Sequence, residues 1–183
     1  MRLRSWQFRK PGSKRLRSLL KDRSGVTAIE FSMIAIPFFI LAFGIIEVGL
    51  AHFANRMVDN AVISASRLIR TGQAKDGTLT SDDFRTQICN FMPDFLCNKD
   101  RITVEVQSVG TFAEAGSTKD LYDKDGKIRE DLKFATGGAG DIVVVNVIYK
   151  WPMITAVLNL DKGDRGKERH LTSTMVFRNE PWE

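Results

Sequence analysis

Asp123 and Asp125 have the side-chain type and spacing that a calcium-binding loop requires. Both precede Gly126, the residue type that calcium loops use for their sharp turn. With Gly126 at the sixth position of an EF-hand loop, however, the first and twelfth positions would be Leu121 and Leu132, which carry no ligand atoms. Since Asp-Gly is also favoured in tight turns, we expect a turn here and no calcium site.

Cysteine and histidine residues could cross-link the chain or bind a metal. Cys89 and Cys97 are the only two cysteines, eight positions apart around Pro93. In an oxidising compartment this pair can close a small disulfide loop, which we favour over two separate buried thiols. His52 and His170 are distant from the cysteines and from each other, so these four residues form no zinc-binding pattern.

Motifs for enzymatic chemistry are absent from the sequence. It contains no Gly-x-Ser-x-Gly, phosphate-binding loop, paired-histidine metal motif or dinucleotide-binding fingerprint. Neither histidine has a neighbour in sequence that suggests acid–base work. We therefore predict a protein that is not an enzyme and that requires no cofactor.

The most distinctive element of the sequence is an apolar stretch near the amino terminus. From residue 31 to residue 46 no residue is charged, and between residues 26 and 51 only Glu30 and Glu47 are. A bilayer core of about 30 Å requires about 20 apolar residues in a helix, so this stretch is long enough to span a membrane. Pro37 lies within it and is expected to kink or loosen the helix locally.

The two carboxylates mark the ends of the apolar stretch. Glu30 and Glu47 are 17 positions apart, which corresponds to about 25 Å along a helix. Glu30 falls near the inner interface, about one turn inside the span, where a charge is costly and usually functional. Both residues can also be read simply as boundary markers, and composition alone does not separate these interpretations.

Positive charge is concentrated before the span. Residues 1–25 hold nine of the 27 Lys and Arg residues and one of the 22 acidic residues. A basic arm can bind nucleic acid, but no nucleic-acid-binding signature accompanies it. The positive-inside rule instead predicts a cytoplasmic leader and an outward-facing, periplasmic body. The apolar run is too long for a secretory signal peptide, and a cut near residues 49–51 is the less favoured alternative.

Helical periodicity continues beyond the span. Apolar and small residues recur at helical spacing from Ala54 to Ile69, and a basic last turn is followed by Gly72. We predict one helix over about residues 26–70. Its transmembrane half is residues 26–51, and its amphipathic periplasmic half is residues 52–72. We expect the apolar face of the second half to be covered mainly by the chain's own domain.

Residues 73–183 are predicted to form a small periplasmic α+β domain. A capped helix begins at Thr80-Ser81 and carries an apolar face of Phe84, Ile88 and Phe91. Strands are expected at residues 102–106, 142–149 and 171–177, with a long loop at residues 113–140. The predicted fold class is α+β: a long amino-terminal transmembrane and amphipathic helix packed with a small antiparallel sheet.

Several of these pieces together resemble a known family. They are the junction at residues 25–31, Pro37, residues 47–49, the helix end at residues 65–72 and the closing residues 176–182. The set is similar to the TadE-like family, the minor pseudopilins of tight-adherence (Tad or Flp-type) pilus systems. The resemblance covers roughly residues 24–72 and the carboxyl terminus.

The resemblance implies a processing site. A prepilin peptidase, which is an aspartyl membrane protease, would cut between Gly25 and Val26, because a small residue lets the backbone enter its active site. Glu30 followed by Phe31 would then be the fifth and sixth residues of the mature chain. Glu30 would lie near a cationic partner, such as the new amino terminus of a neighbouring subunit. Such a pair in a low-dielectric setting fixes helix register.

The resemblance also implies partners and a location. Pro37 and Glu47 would join Glu30 in helix packing and register. The expected partners are the lipid bilayer, prepilin peptidase, other pseudopilins and Tad/Flp assembly proteins, with no nucleic acid. The expected location is the bacterial inner membrane, in a single pass with a cytoplasmic amino terminus. The expected role is pilus biogenesis and surface adhesion, and the residues leave open whether the protein enters the fibre or primes its assembly.

Two other classes of protein compete with this reading. The first is an uncleaved, signal-anchored periplasmic scaffold or adaptor, in which Gly25 and Glu30 would be incidental. The second is a secreted protein released by signal peptidase, for which the sequence offers neither a clear cut site nor catalytic residues. The fate of the leader separates the three classes. Loss after Gly25 supports the pseudopilin, retention supports the anchored scaffold, and loss beyond Gly49 supports the secreted protein.

Overall fold

The computed structural model describes residues 25–73, 79–117, 120–153 and 168–182. Its longest element is helix α1 (Val26–Arg70), which confirms the predicted 26–70 helix and runs without interruption through Pro37. A division between Ala42 and Phe43 separates the chain into two units. The basic leader, residues 1–24, lies outside the described residues.

The described part of the first unit is residues 25–42, the beginning of α1. Its large apolar side chains are exposed, including Phe31, Met33 and Ile34 at about 70%. α1 is long and apolar enough to cross a membrane, by length and composition. Exposure of this many apolar side chains is costly in water but not in lipid, so the chain carries a candidate membrane anchor.

In the second unit, α1 provides one wall of the hydrophobic core. Its buried face consists mainly of small side chains at helical spacing: Ala51, Ala54, Val58, Ala61, Val62, Ala65, Ser66 and Ile69. Most of these residues share one core cluster with residues of the sheet. The expectation that the domain covers this face of the helix is confirmed. Small side chains suit this position because they allow the helix axis to approach the sheet closely.

Helix α2 (Ser81–Asn90) begins as predicted with a capping box. The Thr80 hydroxyl accepts a hydrogen bond from the Asp83 backbone N–H, and the Asp83 carboxylate accepts one from the Thr80 backbone N–H. Hydrogen bonds donated by the Thr80 hydroxyl and backbone hold the pKa of Asp83 below its usual value. Phe84 and Ile88 are buried, but the prediction for Phe91 is wrong. It caps the carboxyl end of α2 and is 51% exposed, because the helix stops before that turn is complete.

A disulfide joins Cys89, in the last turn of α2, to Cys97. Between them the chain turns at Pro93, whose carbonyl accepts hydrogen bonds from the backbone N–H groups of Leu96 and Cys97. Leu96 is buried in the core and its carbonyl accepts a hydrogen bond from the Tyr149 hydroxyl at 2.8 Å. The disulfide therefore closes a loop that is also fixed to the sheet.

We expect the double variant Cys89→Ala/Cys97→Ala to be less stable than the wild type by about 2.5 kcal/mol, the chain-entropy value for a loop of this length. Thermal unfolding of the full chain in detergent, followed by circular dichroism, measures the difference. Reduction of the disulfide in the wild type should lower its stability by a similar amount, and the stability of the variant should not change with reductant. A variant as stable as the oxidised wild type would contradict a constraining disulfide.

Three antiparallel strands form the sheet, in the order β1 (Ile102–Val109), β2 (Ile142–Pro152) and β3 (Glu168–Arg178). Central strand β2 is buried at every position from Ile142 to Tyr149, which explains its largely β-branched composition. All three strands occur where they were predicted, each longer than expected. The α+β fold class is confirmed.

The sheet face that lies away from the α1 core corrects one prediction. β1 was expected to alternate as a half-buried strand with polar residues facing solvent, but Glu105 is 1% exposed. Its carboxylate accepts a hydrogen bond from the Arg129 guanidinium at 2.8 Å, and Arg129 also contacts Asp131 at 2.9 Å. Arg129 lies in the long loop and covers the strand, so both faces of β1 are occupied at this point.

The predicted loop at residues 113–140 is mostly irregular, apart from the end of the one-turn helix α3 (Phe112–Ala115) and isolated bridges. The Asp123 carboxylate accepts hydrogen bonds from the backbone N–H groups of Asp125 and Lys127 at 2.9 and 2.8 Å. Gly126 has a positive φ of 75°, which a turn requires and glycine provides at low cost. The turn interpretation of this segment is therefore confirmed. The sequence also predicts a turn-rich segment from residue 158 to residue 169; residues 158–167 lie outside the described residues, and Glu168 and Arg169 instead begin strand β3.

The carboxyl-terminal segment closes against the end of α1. The Glu180 backbone N–H donates to the Arg70 carbonyl at 2.9 Å, and the two side chains approach to 3.4 Å. Gly72 has a positive φ, and a Cβ added there would overlap the indole of Trp182. The predicted glycine stop is therefore also a packing site for the last tryptophan.

Candidate functional site

The proposed processing junction lies at the amino-terminal end of α1. The Gly25 carbonyl accepts the first helical hydrogen bond, from the Ile29 backbone N–H at 3.1 Å. Helices α2 and α3 begin with Thr80 and Thr111, whose hydroxyls cap a backbone N–H. Gly25 has no side chain for this purpose. The junction is exposed on both sides of the Gly25–Val26 bond, so its backbone is open to an external partner.

The fold itself does not require a glycine at position 25. Gly25 is not among the glycines with positive φ, and a Cβ added to it meets no atom within 4 Å. Gly49 in the same helix is equally open. Packing against the described residues therefore gives no reason for a small side chain at residue 25, and a binding partner could supply one.

Glu30 lies one helical turn beyond Val26, on the same side of α1, since residues four apart in a helix are neighbours. It is exposed, and within the described ranges it has neither an ion pair nor a hydrogen bond. The Ser32 hydroxyl, by contrast, donates to the Ala28 carbonyl at 2.7 Å. A carboxylate at the edge of an apolar helix is costly to leave unpaired in lipid, so Glu30 is the polar group here that most requires an outside partner.

The structure groups some of the predicted site residues and separates others. Gly25, Val26, Glu30 and Phe31 share the first two turns of α1, and Phe31 is 69% exposed. Pro37 and Glu47 lie further along the same helix, and Glu47 is half-buried. The disulfide belongs to the domain and is a structural feature separate from this junction.

Sequence reasoning missed two groupings that depend on the folded chain. Arg129 and Glu105 are 24 positions apart, and no local pattern indicates their pairing. His52 and His170, which the sequence leaves unconnected, line one cavity between α1 and β3. The His170 ring also stacks on Tyr122 at a centroid distance of 5.7 Å. The second grouping depends on how the strand and the helix pack in the folded chain, which no local sequence pattern indicates.

Comparison with known proteins identifies the first part of the chain. Residues 25–67 match the family model described as TadE-like protein. These residues are TadE-like. The match begins at Gly25 and ends in the last turn of α1, so it covers the junction, the apolar stretch and most of the buried helix face. It confirms the resemblance to this family for residues 25–67.

The comparisons do not extend to the rest of the domain. No curated protein matches the chain, and no solved structure matches it. Beyond residue 67, the α+β domain is therefore interpreted from its own residues.

Proposed function

We propose that the chain is a minor pseudopilin, a membrane-anchored component that acts in the assembly of a Tad-type pilus after prepilin peptidase removes residues 1–25. One observation supports this most strongly. The TadE-like match begins at an open glycine junction, and one turn later an exposed apolar helix carries Glu30, which has no partner among the described residues. An ordinary membrane anchor requires neither feature.

Cleavage after Gly25 would give Glu30 a partner. The new α-amino group of Val26 would be a cation at the amino-terminal end of α1, where the helix dipole already places positive charge. A carboxylate one turn away favours that cation, in the same chain or in a neighbouring one. In the low dielectric of a bilayer edge this pairing is strong and geometrically selective, so it can set the register between helices.

The domain is proposed to lie on the periplasmic side. The basic leader favours a cytoplasmic amino terminus by the positive-inside rule. The disulfide between Cys89 and Cys97 supports the same orientation, since such bonds persist in oxidising compartments. The exposed apolar surface of α1 before Ala51 would contact lipid or the helices of other pseudopilins.

Glu30→Gln is expected to leave processing and membrane insertion intact and to weaken association with partner pseudopilins roughly tenfold, the effect of losing one hydrogen bond to a charged group. Co-purification of partner subunits after mild solubilisation measures the effect. Ser32→Ala is the matched control, because its hydroxyl is already satisfied within the helix. If Glu30→Gln retains its partners as well as the control does, Glu30 is only a boundary marker.

The pilus role is tested by removing the gene from a host with a Tad system. We expect loss of surface pili and of surface attachment, restored by the wild-type chain but not by an uncleavable junction variant. Restoration by the uncleavable variant would favour the anchored scaffold. Normal pili in the deletion strain would exclude a role in pilus assembly.

A further inference from the structure

The cavity that both histidines line has the composition of an anion site. It has a volume of about 180 Å³ and lies between α1 and the outer edge of β3. Ala51, His52 and Asn55 line it from the helix, and residues 169–172 line it from the strand. This volume corresponds to about six water molecules, enough for a phosphate group and part of its ester.

The charge on the cavity wall is positive. Arg169 has no ion-pair or hydrogen-bond partner in the described parts of the chain, and none of the lining residues is a carboxylate. Two carboxylates near the cavity in the described parts of the sequence do not line it. Asp59 contacts Arg56 and Asn55, and Glu168, which shares a face of β3 with His170, is not among the lining residues. Lys150 pairs with His170 in the register of the sheet and adds to the positive potential.

A second cavity provides a contrast. It has a volume of about 290 Å³ and is lined by three carboxylates, those of Glu105, Glu114 and Asp131, together with Arg129 and Lys133. Arg129 there is neutralised by two of the carboxylates. Among the described residues the histidine cavity has no comparable compensation, so an incoming anion would be the counter-charge of Arg169.

The position of the cavity on α1 matches the depth of lipid headgroups. Most of the large apolar side chains exposed on α1 lie at or before Leu50, with Phe53 and Ile63 beyond it, and Ala51 is buried. His52 and Asn55 lie about 3 and 7.5 Å beyond Leu50 along the helix. The headgroup layer on each side of a bilayer is about 5–8 Å thick, so the cavity falls within it.

Aromatic side chains near the cavity agree with this depth. Phe53, next to His52, is 51% exposed. Trp151 is half-buried and pairs with Arg169 across β2 and β3. Tryptophan is enriched at membrane interfaces, where its amphipathic ring sits at headgroup level.

We infer that this cavity binds a phosphate group, and that the phosphate is that of an anionic lipid headgroup. Arg169 supplies the charge, and His52 and the amide N–H of Asn55 that does not donate to Asp59 supply hydrogen-bond donors from the helix. The Tyr122 hydroxyl and His170 Nδ1, 3.2 Å apart, hold the His170 ring as part of the wall. A bound lipid would hold the domain against the membrane at a fixed height. This site does not depend on whether the leader is cleaved.

The test uses the full chain, delipidated in detergent and titrated with phosphatidylglycerol, phosphatidylcholine or inorganic phosphate, with bound molecules counted by native mass spectrometry. We expect phosphatidylglycerol to bind in preference to phosphatidylcholine. Arg169→Gln and His52→Gln should each weaken that binding roughly tenfold, the effect of removing one hydrogen bond to a charged group. Arg67→Gln is the matched control, because it removes the same charge from an exposed residue that lines a different cavity.

Two other outcomes would contradict the proposal, one for the site itself and one for the lipid as the source of the phosphate. Equal weakening by Arg169→Gln and Arg67→Gln would mean general charge attraction and would overturn the site. Displacement of the lipid by inorganic phosphate at equal concentration would overturn the lipid source and leave a soluble phosphate ligand. Thermal unfolding of each variant shows whether the domain is intact. His52 is exposed, so His52→Gln keeps the test valid if Arg169→Gln does not fold.

Discussion

Gly25→Leu is expected to accumulate as the full-length precursor, with cleaved product reduced on the order of 100-fold. A prepilin peptidase must bring the Gly25–Val26 peptide bond to its catalytic aspartates, and displacement of a reacting group by about 1 Å costs that much in rate. Because a Cβ at residue 25 meets no atom of the described residues within 4 Å, the leucine should not disturb α1. Immunoblotting of membranes from a host with an active prepilin peptidase measures the two forms.

Gly49→Leu provides a matched control for this experiment. Gly49 lies in the same helix, has no atom within 4 Å of an added Cβ, and is exposed like Gly25. It should be cleaved as the wild type is. Reduced cleavage of both variants would indicate a general effect on the helix or its insertion. Normal cleavage of Gly25→Leu would remove the basis for assigning the junction.

Arg129→Met is expected to lower the free energy of unfolding of the domain by about 3 kcal/mol, near the lower end of the range for breaking a buried ion pair. The lower end applies because the Arg129 side chain is 13% exposed, which lets water reach the site. The guanidinium also donates to the Asp120 carbonyl at 2.6 Å, so its loss releases the loop as well. In the described structure the second Glu105 carboxylate oxygen has no hydrogen bond, so Glu105 would be left buried and unpaired.

Thermal unfolding by circular dichroism, on the full chain in detergent, should show a decrease of about 10 °C in Tm, given about 2–4 °C per kcal/mol for a chain of this size. Adding Glu105→Leu to Arg129→Met should recover most of the loss, since no buried charge remains. Arg56→Met, which removes an exposed pairing with Asp59, should change the stability by less than about 0.5 kcal/mol. Equal small effects of Arg129→Met and Arg56→Met would contradict the importance of the buried pair.

The long helix and the strands could be predicted because their signals are local and strong. The absence of charge from residue 31 to residue 46, the periodicity up to Ile69 and the glycine at residue 72 together give both ends of α1. The β-branched composition of β2 likewise indicates a strand buried on both faces. The wrong predictions concern residues whose environment is set by distant parts of the chain. Glu105 occupies a polar position in the alternating pattern of β1, which is typical of a solvent-facing residue. It is buried because Arg129 folds over it.

For the candidate site, too, only the features that depend on neighbouring residues in the sequence could be predicted. Gly25, Val26, Glu30 and Phe31 are adjacent in sequence, so their grouping on the first turns of α1 follows from the helix alone. The openness of Gly25 and the lack of a partner for Glu30 required the structure. The cavity at His52 and Arg169 required the strand register, because those residues are more than 100 positions apart.

The most direct test of the proposed function is the amino-terminal sequence and intact mass of the protein purified from its native membranes. A mature chain that begins at Val26, and that keeps its leader when the host lacks prepilin peptidase, is the predicted result. A chain that retains Met1 in a host with active prepilin peptidase would contradict the pseudopilin assignment. It would instead support an uncleaved membrane-anchored scaffold.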